Sequence, residues 1–199
     1  ISDELYAVYK DNDLRKSYFV KYSESGGYVE YVKGGAVADF SRTSLSANFL
    51  FRTAEAYLNL AEATAYQGKE DDARKALKDL RVKRLATGQY TNSEESGADL
   101  IELIREERER ELCLEGHRWF DLRRYMVCEK QPYTKTIRKS YTTFEYVSWT
   151  NVAVQTVVYQ LEENDAAYTL PIPKEVLEYN TGMKNNERGV RPVVETINY

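Results

Sequence analysis

Two cysteines and a single histidine in 199 residues leave little material for a disulfide framework or a metal centre. Cys113 and Cys128 lie outside any metal-ligand spacing, and two separate thiols are the simpler reading. No apolar run approaches the ~20 residues that a membrane-crossing helix needs. The chain opens Ile1-Ser2-Asp3, without the charged and apolar pattern of a signal peptide. Positive charge is not in excess: 28 Lys and Arg face 32 Asp and Glu, and the net charge of −4 argues against nucleic acid as a main partner. Glycine-rich phosphate loops and Ser or Cys nucleophile motifs are missing too. The lone His117 is best read as a helix-corner residue, so no catalytic, cofactor or metal residue is assigned.

What remains describes a foldable globular chain, with 42% hydrophobic and 30% charged residues. Its length allows one domain, residues 1–199, with a substantial core. Tyrosine is the excess: 17, against 6 Phe and 2 Trp. A tyrosine joins a flat apolar face to a hydroxyl, which suits wet or carbohydrate-like interfaces as well as strands.

Three regions follow from local pattern. Residues 1–46 read as an extended lead-in, with short aromatic runs at 17–23 and 28–33 broken by Gly26-Gly27, a hairpin pattern. Residues 47–130 read as the helical core. Leu50, Ala54, Tyr57, Leu58, Ala61 and Ala65 recur at three- and four-residue steps and predict a helix over 49–67, ended by Gly68. Ala73, Ala76, Leu77 and Leu80 predict a second helix, antiparallel to the first and closed before Gly88. The spacing is close to one tetratricopeptide unit, with Thr64 where that repeat wants an aromatic. A lone unit must pack on further helices. Residues 131–199 read as a strand and loop region, with strands at 141–150 and 152–161 around Asn151, a short helix after Pro173 ending near Asn180, and an irregular tail. The predicted fold is therefore mainly α, a tetratricopeptide-like hairpin packed on other helices, with a small β-hairpin addition and long irregular loops.

The densest chemistry lies in E-R-E-R-E-L-C-L-E-G-H-R-W-F-D-L-R-R, residues 107–124. At helical period, Leu100, Ile101, Leu103, Ile104, Leu112 and Leu114 share one broad face, and Glu102, Arg105, Glu106, Glu109 and Arg110 fall opposite. Arg108, Glu111 and Glu115 sit inside the apolar arc. Burying such charges without partners is costly, so they should pair with one another or with neighbours, Arg118 and Asp121 being nearest. This predicts a structural ion network at a helix–turn–helix corner. Cys113 falls on the exposed side of the same helical projection.

Together these pieces resemble the SusD/RagB family of outer-membrane nutrient-binding lipoproteins. The first matching block is F-R-T-A-E-A-Y-L-N-L-A-E-A, with Arg52, Glu55, Tyr57 and Glu62. The second runs through Glu107, Arg108, Glu111, Leu112, Glu115, Gly116, Arg118, Asp121, Leu122 and Arg124. The third is L-P-I-P-K-E-V followed by N-N-E-R-G, through Pro171, Ile172, Pro173, Asn185, Asn186 and Gly189. Asp13-Leu14-Arg15 is similar to a short upstream signal of the family. The resemblance covers roughly residues 45–190 and implies the C-terminal half of a longer protein. It implies capture of an oligosaccharide or other nutrient without catalysis, and delivery to a TonB-dependent transporter of the SusC type. It also implies a place on the cell surface at the outer membrane, with membrane contact only through a lipid anchor on the missing N-terminal part.

The motif blocks read as structural, so ligand contacts are expected elsewhere. Tyr141, Tyr146, Trp149, Asn151 and Tyr159 form the densest set of aromatic and amide groups outside the helices, suited to stacking on sugar C–H faces and bonding hydroxyls. The competing expectation is that these aromatics pack against the helices, as large aromatics usually do. Two other classes are weighed. A tetratricopeptide-like scaffold could dock the transporter without touching sugar, and exposed apolar side chains on the 49–87 hairpin would favour it. A glycoside hydrolase needs two carboxylates at a set separation, one with a raised pKa. Glu111 and Glu115, with arginines nearby, fit that poorly.

Overall fold

A computed structural model describes residues 3–22, 28–31 and 52–199, with side chains for 5–17 and 52–199. The predicted starts of the first helix at 49 and the ends of the N-terminal runs lie outside the described residues. The contacts divide the chain into two compact units, Ile1–Arg118 and Trp119–Tyr199.

The first unit is built on α2 (Thr53–Tyr66), α3 (Glu70–Arg81) and α4 (Gly97–Glu111). Alanine spacing sets the α2–α3 contact: Ala54, Leu58 and Ala61 of α2 meet Ala73, Ala76, Leu77 and Leu80 of α3 in one buried cluster. Leu100 and Ile104 of α4 complete it, with Leu112 just beyond the helix. Gly68 between α2 and α3 has φ +75, the left-handed conformation that ends a helix at least cost to glycine. Thr64, at the position where a tetratricopeptide unit wants an aromatic, is buried because its hydroxyl donates back to the carbonyls of Leu60 (2.7 Å) and Ala61 (3.1 Å).

Ahead of this hairpin come α1 (Asp3–Ala7), a 3-10 turn (Leu14–Tyr18), and an antiparallel ribbon of β1 (Phe19–Tyr22) and β2 (Tyr28–Tyr31). The segment between α1 and the 3-10 turn runs beside the exit of α3. The Leu14 amide donates to the Arg84 carbonyl and the Ala86 amide to the Asn12 carbonyl. Tyr9 is buried with Cys113, flanked by Leu5, Tyr6 and Val8. Cys113 is therefore covered, not exposed as the projection of its helix suggests: a segment from 100 residues upstream lies over it.

The second unit contains most of α5 (His117–Met126) and a three-stranded antiparallel sheet in the order β3 (Ile137–Val147), β4 (Thr150–Leu161), β5 (Val193–Asn198). The strand β5 lies where the sequence reading expects irregular tail. The turn between β3 and β4 is Ser148-Trp149, two residues earlier than Asn151. The short helix α6 (Lys174–Tyr179) begins after Pro173 and stops before Asn180, as its proline and asparagine predict. Trp119 stacks on buried Tyr168, with ring centroids 5.1 Å apart.

The third sequence block straps this unit. The Asn185 side chain accepts from the Ile172 amide (2.8 Å) and donates to the Ile172 carbonyl (3.3 Å), so it pairs with that residue as a neighbouring strand would. The Asn186 amide group reaches the Leu170 carbonyl at 2.7 Å. Arg191 holds Asp165 through two bonds, 2.8 and 3.0 Å, and Asp165 caps the 3-10 turn Ala166–Tyr168 through the Ala167 amide.

Candidate functional site

Two places concentrate the sequence-predicted residues: the charged corner at the end of α4, and the tip of the β3–β4 hairpin. The corner is centred on Glu111, which is 2% exposed. Three arginines from three separate segments converge on its carboxylate. Arg84, just past α3, contributes Nε to Oε2 at 2.8 Å and Nη2 to Oε1 at 2.9 Å. Arg52, at the N-cap position of α2, contributes Nη2 at 2.6 Å. Arg15 contributes Nη1 at 2.8 Å. Arg15 is itself fixed by Asp13, whose carboxylate accepts from its Nε, Nη2 and backbone amide. Arg15 also bridges to Glu107, 1% exposed, at 2.7 Å.

Burial alone would raise the Glu111 carboxyl; hydrogen bonding from Arg84 and the charges of Arg15, Arg84 and Arg52 overrule it and hold the pKa at about 2. For Arg15 burial again opposes the charge, and Asp13 and Glu107 overrule it in the cation's favour. A carboxylate locked in its ionised form by three guanidinium groups is a strut. It is a poor general acid.

The other predicted members are placed as follows. Arg108 is buried, donates to the Asn59 side-chain oxygen at 2.8 Å and lies 3.6 Å from Glu55. Glu115 accepts from Arg52 Nη1 at 2.6 and 2.8 Å. Arg118 pairs with Glu109 at 2.8 Å. Asp121, in the second unit, is buried and bound by Arg124 at 2.9 Å. His117 stands with Nδ1 3.8 Å from Glu55. Arg105, on the solvent side of the helical projection, is buried and donates to the Tyr66 hydroxyl at 2.8 Å. The projection assumes one covered face; α4 is covered on more than one.

The hairpin tip has the opposite character. Ser148 and Trp149, the two residues between paired Val147 and Thr150, have φ +49 and +67. Both values belong to the primed turn that matches strand twist, for which Asn-Gly is the favoured pair. Here neither residue is glycine, and each left-handed side-chain-bearing residue costs roughly 1–2 kcal/mol. The indole that this conformation carries is 90% exposed. Tyr146 meets it edge-on at 6.4 Å between centroids. Asn151 is the cross-strand partner of Tyr146, so amide and phenol share a face.

Tyr141 lies five positions from Tyr146 on the same strand and so points to the other face. There it meets Tyr159, half-buried, edge-on at 5.8 Å. The five residues thus form two groups: Tyr146, Trp149 and Asn151 at the tip, and Tyr141 with Tyr159 behind it. Neither Tyr141 nor Tyr146 nor Trp149 is packed away, since all three are exposed. The strand β5 pairs only with Gln155–Tyr159, so the tip extends past the third strand. Phe144, exposed on the tip's tyrosine face, is the residue that sequence reasoning missed there. Its parity with Tyr146 is the signal that could have found it.

Among the described residues no group of three or more His, Cys, Asp or Glu is arranged to hold a metal ion, and no helix is long and apolar enough to cross a membrane. Compared with known families, residues 6–189 match the model of the SusD family. In fold the chain is similar to a SusD-like carbohydrate binding protein from Bacteroides vulgatus, at TM-score 0.57 and 22% identity, over 91% of this chain and 40% of that one. It is also similar to a SusD-like protein from Bacteroides fragilis, at TM-score 0.42 and 29% identity, over 67% of this chain and 24% of that one. The chain thus spans less than half the length of either protein. No protein of curated function matches it.

Proposed function

This chain belongs to the SusD family, and from that membership we propose that it captures glycan without catalysis, as the C-terminal region of a SusD-type protein in an outer-membrane uptake complex. The parent protein, held at the cell surface by a lipid anchor, takes up an oligosaccharide and passes it to a TonB-dependent, SusC-like transporter. The observation that carries the reading is Trp149: a strained turn holds an indole 90% exposed, with Tyr146 edge-on and Asn151 opposite. Strain of this kind clusters at active sites and ligand clamps. The indole face suits a pyranose C–H face, and the Asn151 amide and Tyr146 hydroxyl suit its hydroxyl groups.

Catalysis finds no support at the corner, where Glu111 is locked ionised and Glu115 is tied to Arg52. A second reading, docking of the transporter on the helical hairpin, is favoured by Tyr57 and Leu60. They are exposed, one helical turn apart on α2, and form an apolar pair such as a protein partner covers. Electrophoresis of the chain through gels containing neutral polysaccharides tests the first reading: retardation by one polysaccharide class is expected, and unretarded migration in all of them contradicts it.

A further inference from the structure

The loop at residues 88–97 is fastened along α3. The Gly97 amide donates to Glu70 Oε1 at 2.8 Å, and Arg74 Nη1 donates to the Glu95 carbonyl at 2.8 Å. Further along, Arg81 reaches Ser93 Oγ at 3.3 Å and lies over the Tyr90 ring. Between helix and loop these ties leave an open polar cavity of about 570 Å³. Its helical wall is the stripe Asp71, Arg74, Lys75 and Lys78, a run of about 10 Å along the axis.

The lining groups divide by role. Arg74, Glu70 and Asp71 are committed to one another and to the loop, and form the frame. Lys78, Asn92, Glu94 and Ser96 line the same cavity with no side-chain partner among the described residues. Ser96 is the informative one. It occupies the N-cap position of α4, where serine normally caps, yet makes no side-chain cap bond; the amide of Gly97, first in the helix, is met by Glu70 instead. Its hydroxyl lines the cavity uncommitted to the helix. Three carboxylates, Glu70, Asp71 and Glu94, offset three cations, Arg74, Lys75 and Lys78. A cavity of zero net charge gives no advantage to a strongly anionic ligand.

We propose that this cavity is a second ligand site, which takes a short uncharged saccharide. A saccharide carries several hydroxyls, each of which donates once and accepts up to twice, so together they satisfy an ammonium, an amide, a carboxylate and a hydroxyl, and each of those types is unspent here. Tyr90, half-buried at one end, offers the only aromatic lining. The volume lies within the range of small-ligand sites. The choice of saccharide rests on the glycan-binding reading above; the location does not depend on the hairpin tip.

The test is amide NMR of the full chain, titrated separately with maltose, cellobiose and mannobiose, and with glycylglycine as a zwitterionic control. The expected result is saturable shifts at Tyr90–Gly97 with at least one disaccharide, retained in Trp149→Ala. In Asn92→Ala/Glu94→Ala the affinity should fall about tenfold, the loss of one or two hydrogen bonds, with the melting temperature unchanged. Shifts confined to residues 141–159 would uphold the tip and overturn the cavity. Shifts at the cavity alone would do the reverse. A response to glycylglycine with none to the disaccharides, or no response at Tyr90–Gly97 at all, overturns the proposal.

Discussion

Arg52 and Glu111 are 59 residues apart in sequence and meet through two bonds: Arg52 Nη2 donates to the Glu111 carboxylate at 2.6 Å, and Nη1 donates to its backbone carbonyl at 3.1 Å. One guanidinium thus fixes both the side chain and the last turn of α4, while its Nη1 also holds Glu115. The start of α2 and the end of α4 are joined at this point.

Removing the carboxylate should therefore be severe. Glu111→Ala leaves Arg15, Arg52 and Arg84 facing one another, and the expected loss is about 3–5 kcal/mol, the range for breaking a buried pair. Glu111→Gln keeps the shape and should still be strongly destabilised, because the charge is what the arginines require. Urea denaturation of the three proteins checks this; a midpoint unchanged in Glu111→Ala contradicts the network.

The same carboxylate sets an acid limit. Its folded pKa of about 2 lies below the ordinary 4.5. Its contribution is therefore complete above pH 4.5 and is lost as pH falls from there toward 2. The span corresponds to about 3 kcal/mol. Stability measured from pH 6 to pH 2 should fall in that window, and the fall should be shallower in Glu111→Gln.

Trp149→Gly separates strain from function. Glycine accepts φ +67 without penalty, so the variant should gain roughly 1 kcal/mol of stability while losing glycan affinity. Thermal melting and polysaccharide retardation, run together, check both signs. A variant that binds as the parent does would remove the functional reason for the strained indole.

Asn185→Ala should free the segment that Asn185 holds at Ile172. The Ile172 amide loses its acceptor, so its hydrogen exchange should accelerate by about tenfold, equivalent to about 1.4 kcal/mol, within the range for one hydrogen bond. An unchanged exchange rate at Ile172 would show that the strap does not protect it.

The sequence was legible where the determinants are local. Ala54, Leu58, Ala61, Ala73 and Leu77 announce the α2–α3 hairpin through spacing alone, and Gly68 marks its turn. Glu111 stands out because a charge lies in an apolar arc. Its partners do not, since Arg15, Arg52 and Arg84 come from segments that a helical projection of α4 cannot contain. Arg105 and Cys113 were misplaced for the same reason: each is covered by chain distant in sequence. The strand β5 was missed because Val193–Asn198 is an exposed edge whose pairing with β4 defines it. At the tip, the aromatic set could be named from composition and the opposite parity of Tyr141 and Tyr146 from their spacing, but Trp149, Asn151 and Tyr159 could be placed on faces only once the turn was fixed at Ser148-Trp149.

Glycan capture is proposed for the hairpin tip of this chain. Calorimetric titration of the full chain and of Trp149→Ala, with the polysaccharide that retards the chain most, tests it directly. Saturable binding by the parent, at least tenfold weaker in Trp149→Ala with its fold intact, is the predicted result; this corresponds to about 1.4 kcal/mol, within reach of one stacking contact. Equal affinity in both proteins would contradict it.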